Sequence, residues 1–104
     1  MKSTSKSYKV VLYAKAYQDL EEIYKYISFI ISEPLIAKNQ TNRIWDAINS
    51  LSLLPYSHQD RLVGRYADKG YKQLIIDNYI AIFRIDEKEK IVYVVTVQYQ
   101  GRAL

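Results

Sequence analysis

The chain has 104 residues, a length that suits one domain, and hydrophobic residues make up 49% of it, which argues against wholesale disorder. The Ser/Lys-rich composition of residues 1–7 predicts a flexible N-terminal extension, and the rest of the chain, residues 8–104, is predicted to form a single domain. The absence of cysteine excludes disulfides, zinc–thiolate sites and a thiol nucleophile. Because the sequence has no long apolar span and no signal-peptide segment, we expect a cytoplasmic protein without membrane contact.

The net charge of +4 is unevenly distributed along the chain. Residues 1–15 carry four lysines and no acid, residues 16–54 carry three bases and five acids, and residues 55–104 carry eight bases and six acids. Basic ends can attract an anionic partner such as a nucleic acid, but they are equally ordinary on a solvated surface. The 11 tyrosines suit either half-buried sheet positions or a binding face.

The N-terminal half of the domain is predicted to form a strand and two helices. Residues 8–13 are β-branched and aromatic, which indicates the strand. From Ala16 the apolar residues recur at three- and four-residue steps, and Ser32-Glu33-Pro34 marks the start of a second helix that Pro55 ends. The two apolar stripes consist of Leu20, Ile23, Tyr24, Ile27 and Ile30 or Ile31, and of Ala37, Thr41, Ile44, Ile48 and Leu51.

The C-terminal half is predicted to form a long loop and three strands. Residues 55–70 have no periodicity and contain two of the three glycines, and long loops in compact domains are often functional. Strands are predicted at residues 71–77, 79–85 and 91–100, so the order β-α-α-β-β-β predicts an α+β fold in which a helical hairpin backs an antiparallel sheet. Alternation assigns one face of the last two strands to Tyr79, Ala81, Phe83 and Ile85, and to Ile91, Tyr93, Val95, Val97 and Tyr99.

Few residues in the sequence suggest catalytic chemistry. There is no glycine-rich phosphate loop, no pair of histidines and no nucleophile elbow, so we predict no cofactor and no metal. The one histidine, His58, is a residue type suited to acid–base catalysis, but a lone loop histidine is more often simply solvated. A basic cluster spans the loop and the next strand, either as solvated surface or as a site for an anion or acidic partner: Arg61, Arg65, Lys69 and Lys72.

The order and spacing of these segments resemble the RelE/ParE toxin superfamily. Residues 19–27 resemble the Asp-Leu-x-x-Ile-x-x-Tyr-Ile stretch of its first helix, and Leu54-Pro55 resembles the exit from its second helix. The resemblance covers nearly the whole chain after residue 7 and is strongest to the ParE branch. The other matching segments are residues 48–51, 71–74, 78–85 and 92–95, with Tyr99 and Arg102 at the end.

This resemblance implies the toxin of a type II toxin–antitoxin pair, held in a hetero-oligomer by a cognate antitoxin of the ParD type or similar. ParE-like members inhibit DNA gyrase and are not enzymes, whereas RelE-like members cut mRNA on the ribosome; a detoxified member that only binds antitoxin is a third possibility. In ribonuclease members an arginine follows the tyrosine of the second sheet strand, but here Ile80 follows Tyr79. Because Thr96 and Tyr99 also replace basic residues of the last strand, we expect gyrase inhibition.

Three sets of candidate site residues follow from the basic cluster and the resemblance. Gyrase is expected to contact Arg61, Arg65, Lys69, Tyr99 and Arg102. The alternative nuclease site would consist of Lys72, Arg84, Tyr99 and Arg102. The antitoxin is expected to bind along the helical hairpin and the sheet edge, with contacts at Tyr13, Tyr17, Leu20 and Tyr24.

Overall fold

The predicted order of strands and helices is confirmed by a computed structural model, which describes residues 7–100. Strand β1 (Lys9–Leu12) leads into helix α1 (Ala14–Lys25), which continues as a π-helical turn (Tyr26–Ile30). Helix α2 (Pro34–Asn49) begins at a proline, whose fixed φ and missing N–H suit the first helical turn. Most of the predicted N-terminal extension, and Arg102, lie outside the described residues.

Five strands form one mixed sheet in the order β1-β5-β4-β3-β2. Short 3-10 turns (Ser50–Ser52 and Pro55–Ser57) follow α2. The remaining strands are β2 (Gln59–Asp60), β3 (Lys72–Ile76), β4 (Tyr79–Asp86) and β5 (Ile91–Tyr99).

The α+β class is confirmed, and the three C-terminal strands β3, β4 and β5 pair antiparallel as predicted. Strand β1 pairs in parallel with β5, because the helical hairpin between β1 and the rest of the sheet supplies the long crossover that a parallel pair requires. The two-residue strand β2 pairs antiparallel with β3 and extends the sheet into the predicted loop.

The core lies between the helices and one face of the sheet. All five residues of the predicted α2 stripe are buried, and three of them, Ile44, Ile48 and Leu51, pack in one cluster with Phe83 and Val94 of the sheet. Burying a large aliphatic or aromatic side chain contributes about 1.5–3 kcal/mol, so these contacts supply much of the driving force for folding. The central strand is buried on both sides, since Ile82 and Phe83, which point to opposite faces, are both inaccessible to solvent.

Strand β5 contains a bulge that overturns the predicted facing of its residues. Ile82 pairs with Thr96 while the next residue, Phe83, pairs with Val94, so Val95 is an extra residue in β5. A bulge reverses the inside–outside alternation of a strand at the point where it occurs. Val92 and Val94 before the bulge and Val97 after it therefore all join the core cluster, although they do not belong to one alternating set. Tyr93 therefore lies on the face away from the helices.

The π-helical turn similarly breaks the predicted stripe of α1. Leu20 and Ile27 are buried and Ile23 is half-buried, but Tyr24, Ile30 and Ile31 are exposed. In this turn the amide of Ile31 donates to the carbonyl of Tyr26, five residues back, so each turn holds more residues than in an α-helix. The apolar periodicity thus loses its register, and several large side chains point into solvent.

A buried carboxylate in α1 completes the hydrogen bonding of β5. Strand β1 ends opposite Val94, so among residues 7–100 no strand lies beside the edge of β5 beyond that point. The Asp19 carboxylate accepts a hydrogen bond from the Val97 amide (3.0 Å) and another from the Thr96 hydroxyl, and it is paired with Lys15. Asp19 therefore satisfies a backbone donor whose burial without a partner would be costly.

A second carboxylate fastens the β3–β4 turn to α2. Asp77, at φ +55°, accepts two hydrogen bonds from the Arg43 guanidinium (2.8 and 2.9 Å) and one from the Gln40 side chain (2.9 Å). The bonds from Arg43 and Gln40 lower the pKa of Asp77 from 3.8 to about 2, because they favour the charged form.

Candidate functional site

The basic loop at residues 61–70 is held in shape by Arg61. The amide of Arg61 donates to the Tyr71 carbonyl (2.8 Å), and its own carbonyl accepts from the Asp68 amide (3.1 Å). Its guanidinium donates to the carbonyl of Arg65 (3.2 Å) and to the side chain of Gln73 in β3 (3.0 Å). Arg61 thus ties both ends of the loop to the sheet and uses several of its donors inside the protein.

The other two predicted bases of this loop point outward. Arg65 and Lys69 are exposed, and neither makes an ion pair within the part of the chain that the structure describes. Next to Arg65, the aromatic rings of Tyr66 and Tyr71 pack edge to face with centroids 4.9 Å apart, which anchors the far side of the loop. The loop backbone is therefore fixed, and it exposes two cations that form no ion pair with the described residues.

The predicted gyrase-contacting residues fall in two separate places. The loop leads into the start of β3, opposite Phe83, whereas Tyr99 pairs with Tyr79 at the other end of β4. The rings of Tyr79 and Tyr99 pack edge to face at 5.6 Å, and burial raises the pKa of Tyr79. The fold therefore does not bring Tyr99 next to the basic loop.

The residues of the alternative nuclease site are also kept apart. Lys72 pairs with Phe83, so it points to the opposite face of the sheet from Arg84, and its ammonium donates to Asp60 (2.8 Å) and to the His58 carbonyl (3.0 Å). Tyr99 is five residues of β4 away from Arg84, or ~17 Å along the strand. Of the four predicted residues, the three that the structure describes do not converge on one point.

Arg84 instead belongs to an aromatic cluster on the sheet face away from the helices. Its guanidinium lies 4.3 Å from the centre of the Tyr93 ring and donates to the Tyr13 hydroxyl at 3.2 Å. This hydrogen bond to Tyr13 raises the pKa of Arg84. The β5 bulge creates the cluster, because it turns Tyr93 toward Arg84, and the regular alternation expected from the sequence could not have located it.

The predicted antitoxin contacts are only partly accessible. Tyr17 is exposed and packs against Trp45 of α2 at 5.8 Å between ring centres, and Tyr24 is exposed on the same helix. Leu20 is buried in the core, whereas Tyr13 is as exposed as Tyr24 and also hydrogen-bonds Arg84. The end of the helical hairpin adds further exposed apolar residues that the sequence analysis had assigned to the core or left aside: Tyr26, Phe29, Ile30, Ile31, Leu35 and Ile36.

A groove of about 610 Å³ separates α1 from the unpaired edge of β5. Its floor contains Asp19 and Val97, and aromatic rings from Tyr26, Tyr79 and Tyr99 form its sides. Because it adjoins the exposed end of the hairpin, the groove and the hairpin together form an apolar surface of the size that binds a peptide segment.

Other candidate chemistry is sparse in the described residues. The His58 ring is half-buried and packs edge to face on Phe83 at 5.9 Å, so it has a packing role in the structure. Within residues 7–100 no group of three or more His, Asp or Glu side chains is placed to hold a metal ion. Neither helix in that part of the chain has the length and apolar character that a membrane crossing needs.

The fold is shared with toxin–antitoxin proteins. Over 93% of this chain and 100% of the other, a chain from the chromosomal ParDE toxin–antitoxin system of P. aeruginosa superposes with a TM-score of 0.76 at 19% identity. A chain of the RelBE2 toxin–antitoxin complex from Mycobacterium tuberculosis gives 0.65 at 20% identity over 97% of this chain and 100% of its own. The RelE–RelB complex of Pyrococcus horikoshii gives 0.61 at 17% identity over 93% and 99%. At these identities the likeness is one of fold.

The family itself is defined by sequence. The family model for the ParE toxin of the type II toxin–antitoxin system parDE matches residues 10–104, nearly the whole chain. This protein therefore belongs to the ParE toxin family, which confirms the resemblance noted from its motifs. No curated protein sequence matches it significantly.

Proposed function

We propose that this ParE-type toxin inhibits DNA gyrase by binding it, without catalysing a reaction, and that a ParD-like antitoxin neutralises it. The observation that carries the proposal is the separation of Lys72, Arg84 and Tyr99. Cleavage of RNA at a 2′-hydroxyl needs a base, an acid and a phosphate-binding cation around one point, whereas a gyrase inhibitor needs only a complementary surface. The function would be carried out in the cytoplasm, where the target works.

The basic loop supports this proposal because Arg65 and Lys69 are exposed and free of ion pairs in the described residues. Gyrase acts on DNA, so its complex with DNA has a strongly negative field that attracts such cations. For the antitoxin, the exposed apolar surface at the helical hairpin offers a place where an amphipathic segment can bind.

The direct test is to add the purified protein separately to a gyrase supercoiling assay and to translating ribosomes. We expect loss of supercoiling and intact mRNA. Arg65→Glu should weaken gyrase inhibition about 10-fold, because it reverses a charge that faces the target. The matched control is Lys88→Glu, which reverses an exposed base in the β4–β5 turn and should leave inhibition within about twofold.

Three results would contradict the proposal. Cleaved mRNA with unaffected supercoiling would replace gyrase with the ribosome, and equal losses from Arg65→Glu and Lys88→Glu would show that only overall charge matters. A protein that is inactive in both assays but binds its antitoxin would be the detoxified member considered from the sequence.

One observation favours the ribonuclease as a second candidate. Arg84 lies among Tyr13 and Tyr93, and only one of its hydrogen-bond donors is used within the described residues. A cation beside tyrosine rings can hold a phosphate and stack a base. If RNA cleavage is found, Arg84→Ala should lower its rate by about 100-fold, and a rate within a few-fold of the original would remove Arg84 from that chemistry.

A further inference from the structure

The tip of the basic loop holds two adjacent aliphatic side chains in solvent. Leu62 is 67% exposed and Val63 is 71% exposed, although the surrounding loop is mostly polar. Together with Gln59, Asp60 and Gln73 they line a shallow depression of about 340 Å³ beside β2. Isolated exposed aliphatic residues are common, but an adjacent pair that lines a depression and is followed by exposed cations on the same loop is a candidate interaction surface.

The loop is shaped before any partner binds. Arg61 joins its two ends through the hydrogen bonds described above, and Gly64 turns the chain at φ +76° beside the Arg61 guanidinium. A Cβ atom on Gly64 would lie 2.9 Å from Nη2 of Arg61, so the glycine allows this close approach. Because the loop is already ordered, binding through its tip costs less conformational entropy than binding through a flexible segment.

The charges around Leu62 and Val63 indicate the partner. On this loop the exposed bases Arg65 and Lys69 outnumber the exposed acid Asp68. Asp60 beside the loop is paired with Lys72, so the complementary surface is apolar at its centre and acidic at its rim. The loop also lies at the β2 edge of the sheet, whereas Tyr17 is in the first turn of α1, directly after β1 at the other edge. This position separates the loop from the proposed antitoxin surface.

We propose that Leu62 and Val63 are the apolar anchor with which this toxin docks into an acidic-rimmed depression on its protein target. Arg61 is then a positioning residue that holds the tip, and its side chain is not itself a contact. The inference rests on the proposed function, because it names the contact within the target-binding loop.

The experiment compares the double variant Leu62→Ser/Val63→Ser with Leu53→Ser/Leu54→Ser. The control pair is also adjacent and aliphatic, and its exposures of 60% and 77% match those of the anchor. Affinity for purified gyrase bound to a DNA fragment, growth inhibition in cells and antitoxin binding are measured for both. The anchor variant should lose at least 10-fold in gyrase affinity and in growth inhibition with antitoxin binding unchanged, and the control should keep all three.

Arg61 is tested by a double-mutant cycle. Arg61→Ala should weaken gyrase binding, but adding it to the anchor variant should weaken binding little further, because the side chains that it positions are already absent. Additive losses would show that Arg61 contacts the target directly or only stabilises the fold. Gly64→Ala provides a second route to the same tip, with Gly70→Ala as its control: both glycines have positive φ, but a Cβ on Gly70 meets nothing within 4 Å.

The outcomes separate this inference from the proposed function. If the natural protein inhibits growth but does not bind gyrase, the gyrase proposal fails. In that case, loss of growth inhibition in the Leu62/Val63 variant supports the anchor, and unchanged growth inhibition overturns it. Undiminished gyrase binding or toxicity in the anchor variant overturns the inference while leaving gyrase as the target. An equal loss of affinity for the DNA fragment alone would also overturn it, because the anchor would then contact DNA.

Discussion

Replacing Asp19, the buried carboxylate of α1, should destabilise the fold more than replacing any exposed charged residue. In Asp19→Ala the Val97 amide and the Thr96 hydroxyl lose their acceptor, and Lys15 loses its ion-pair partner. Each buried group left without a hydrogen bond costs about 1–3 kcal/mol, so two such groups cost about 2–6 kcal/mol, and the exposed Lys15 adds little because it remains solvated. Since a domain of this size has a total stability of about 5–15 kcal/mol, Asp19→Ala should be only marginally folded.

The assay is urea unfolding followed by circular dichroism, with thermal melts alongside it. Asp19→Ala should lower the free energy of unfolding by about 2–6 kcal/mol, which corresponds to a fall in melting temperature on the order of 20 °C. Asp19→Asn should cost about 1–2 kcal/mol, because the amide oxygen still accepts from the Val97 amide while the ion pair with Lys15 is lost. Thr96→Val, which keeps the shape but removes the hydroxyl, should cost about 1 kcal/mol.

The control is Glu21→Ala on the same helix. Glu21 forms an exposed ion pair with Lys25 at 3.4 Å, and such pairs contribute at most about 0.5 kcal/mol. If Asp19→Ala costs no more than Glu21→Ala, the carboxylate does not complete the hydrogen bonding of β5, and the account of the β5 edge is refuted.

Two further predictions concern the sheet turn and the antitoxin surface. The carboxylate of Asp77, whose pKa is lowered to about 2, stabilises the fold above its ordinary pKa of 3.8, and this contribution is lost as pH falls from about 4 to 2. In urea titrations the free energy of unfolding of the natural protein should thus be about 1 kcal/mol higher than that of Asp77→Asn at neutral pH and equal to it near pH 2. A difference that does not change with pH would contradict this. Tyr17→Ala should weaken antitoxin binding at least 10-fold by calorimetry. The control Tyr56→Ala, at an equally exposed tyrosine that follows α2, should not weaken it, and equal losses would place the antitoxin surface elsewhere.

The local elements of this protein were predictable because they follow from neighbouring residues. The α2 stripe from Ala37 to Leu51 is buried as predicted, since helical periodicity depends only on spacing along the chain. The Asp77-Asn78 turn and the two strands beside it also lie where the sequence indicates them. The ordered series of motifs was enough to suggest the ParE family, which the family match over residues 10–104 confirms.

Residues whose role depends on partners distant in the chain could not be assigned that role from the sequence. In the sequence Asp19 was recognisable only as the first residue of the Asp-Leu-x-x-Ile-x-x-Tyr-Ile motif, and its acceptor role appears once β1 is seen to end before β5 does. Leu62 and Val63 carried one signal, an apolar pair within a polar loop, but their exposure depends on how Arg61 braces that loop.

The sequence by itself determined the α+β class, the helical hairpin and the family, because these depend on local spacing and residue type. Only the tertiary structure decided which side chains meet. Strand register and a single extra residue, Val95, bring Tyr93 to Arg84, and alternation along the sheet keeps Lys72 on the opposite face. Register is set by pairing between strands far apart in the chain, so one inserted residue exchanges the two faces without leaving any mark on the local pattern.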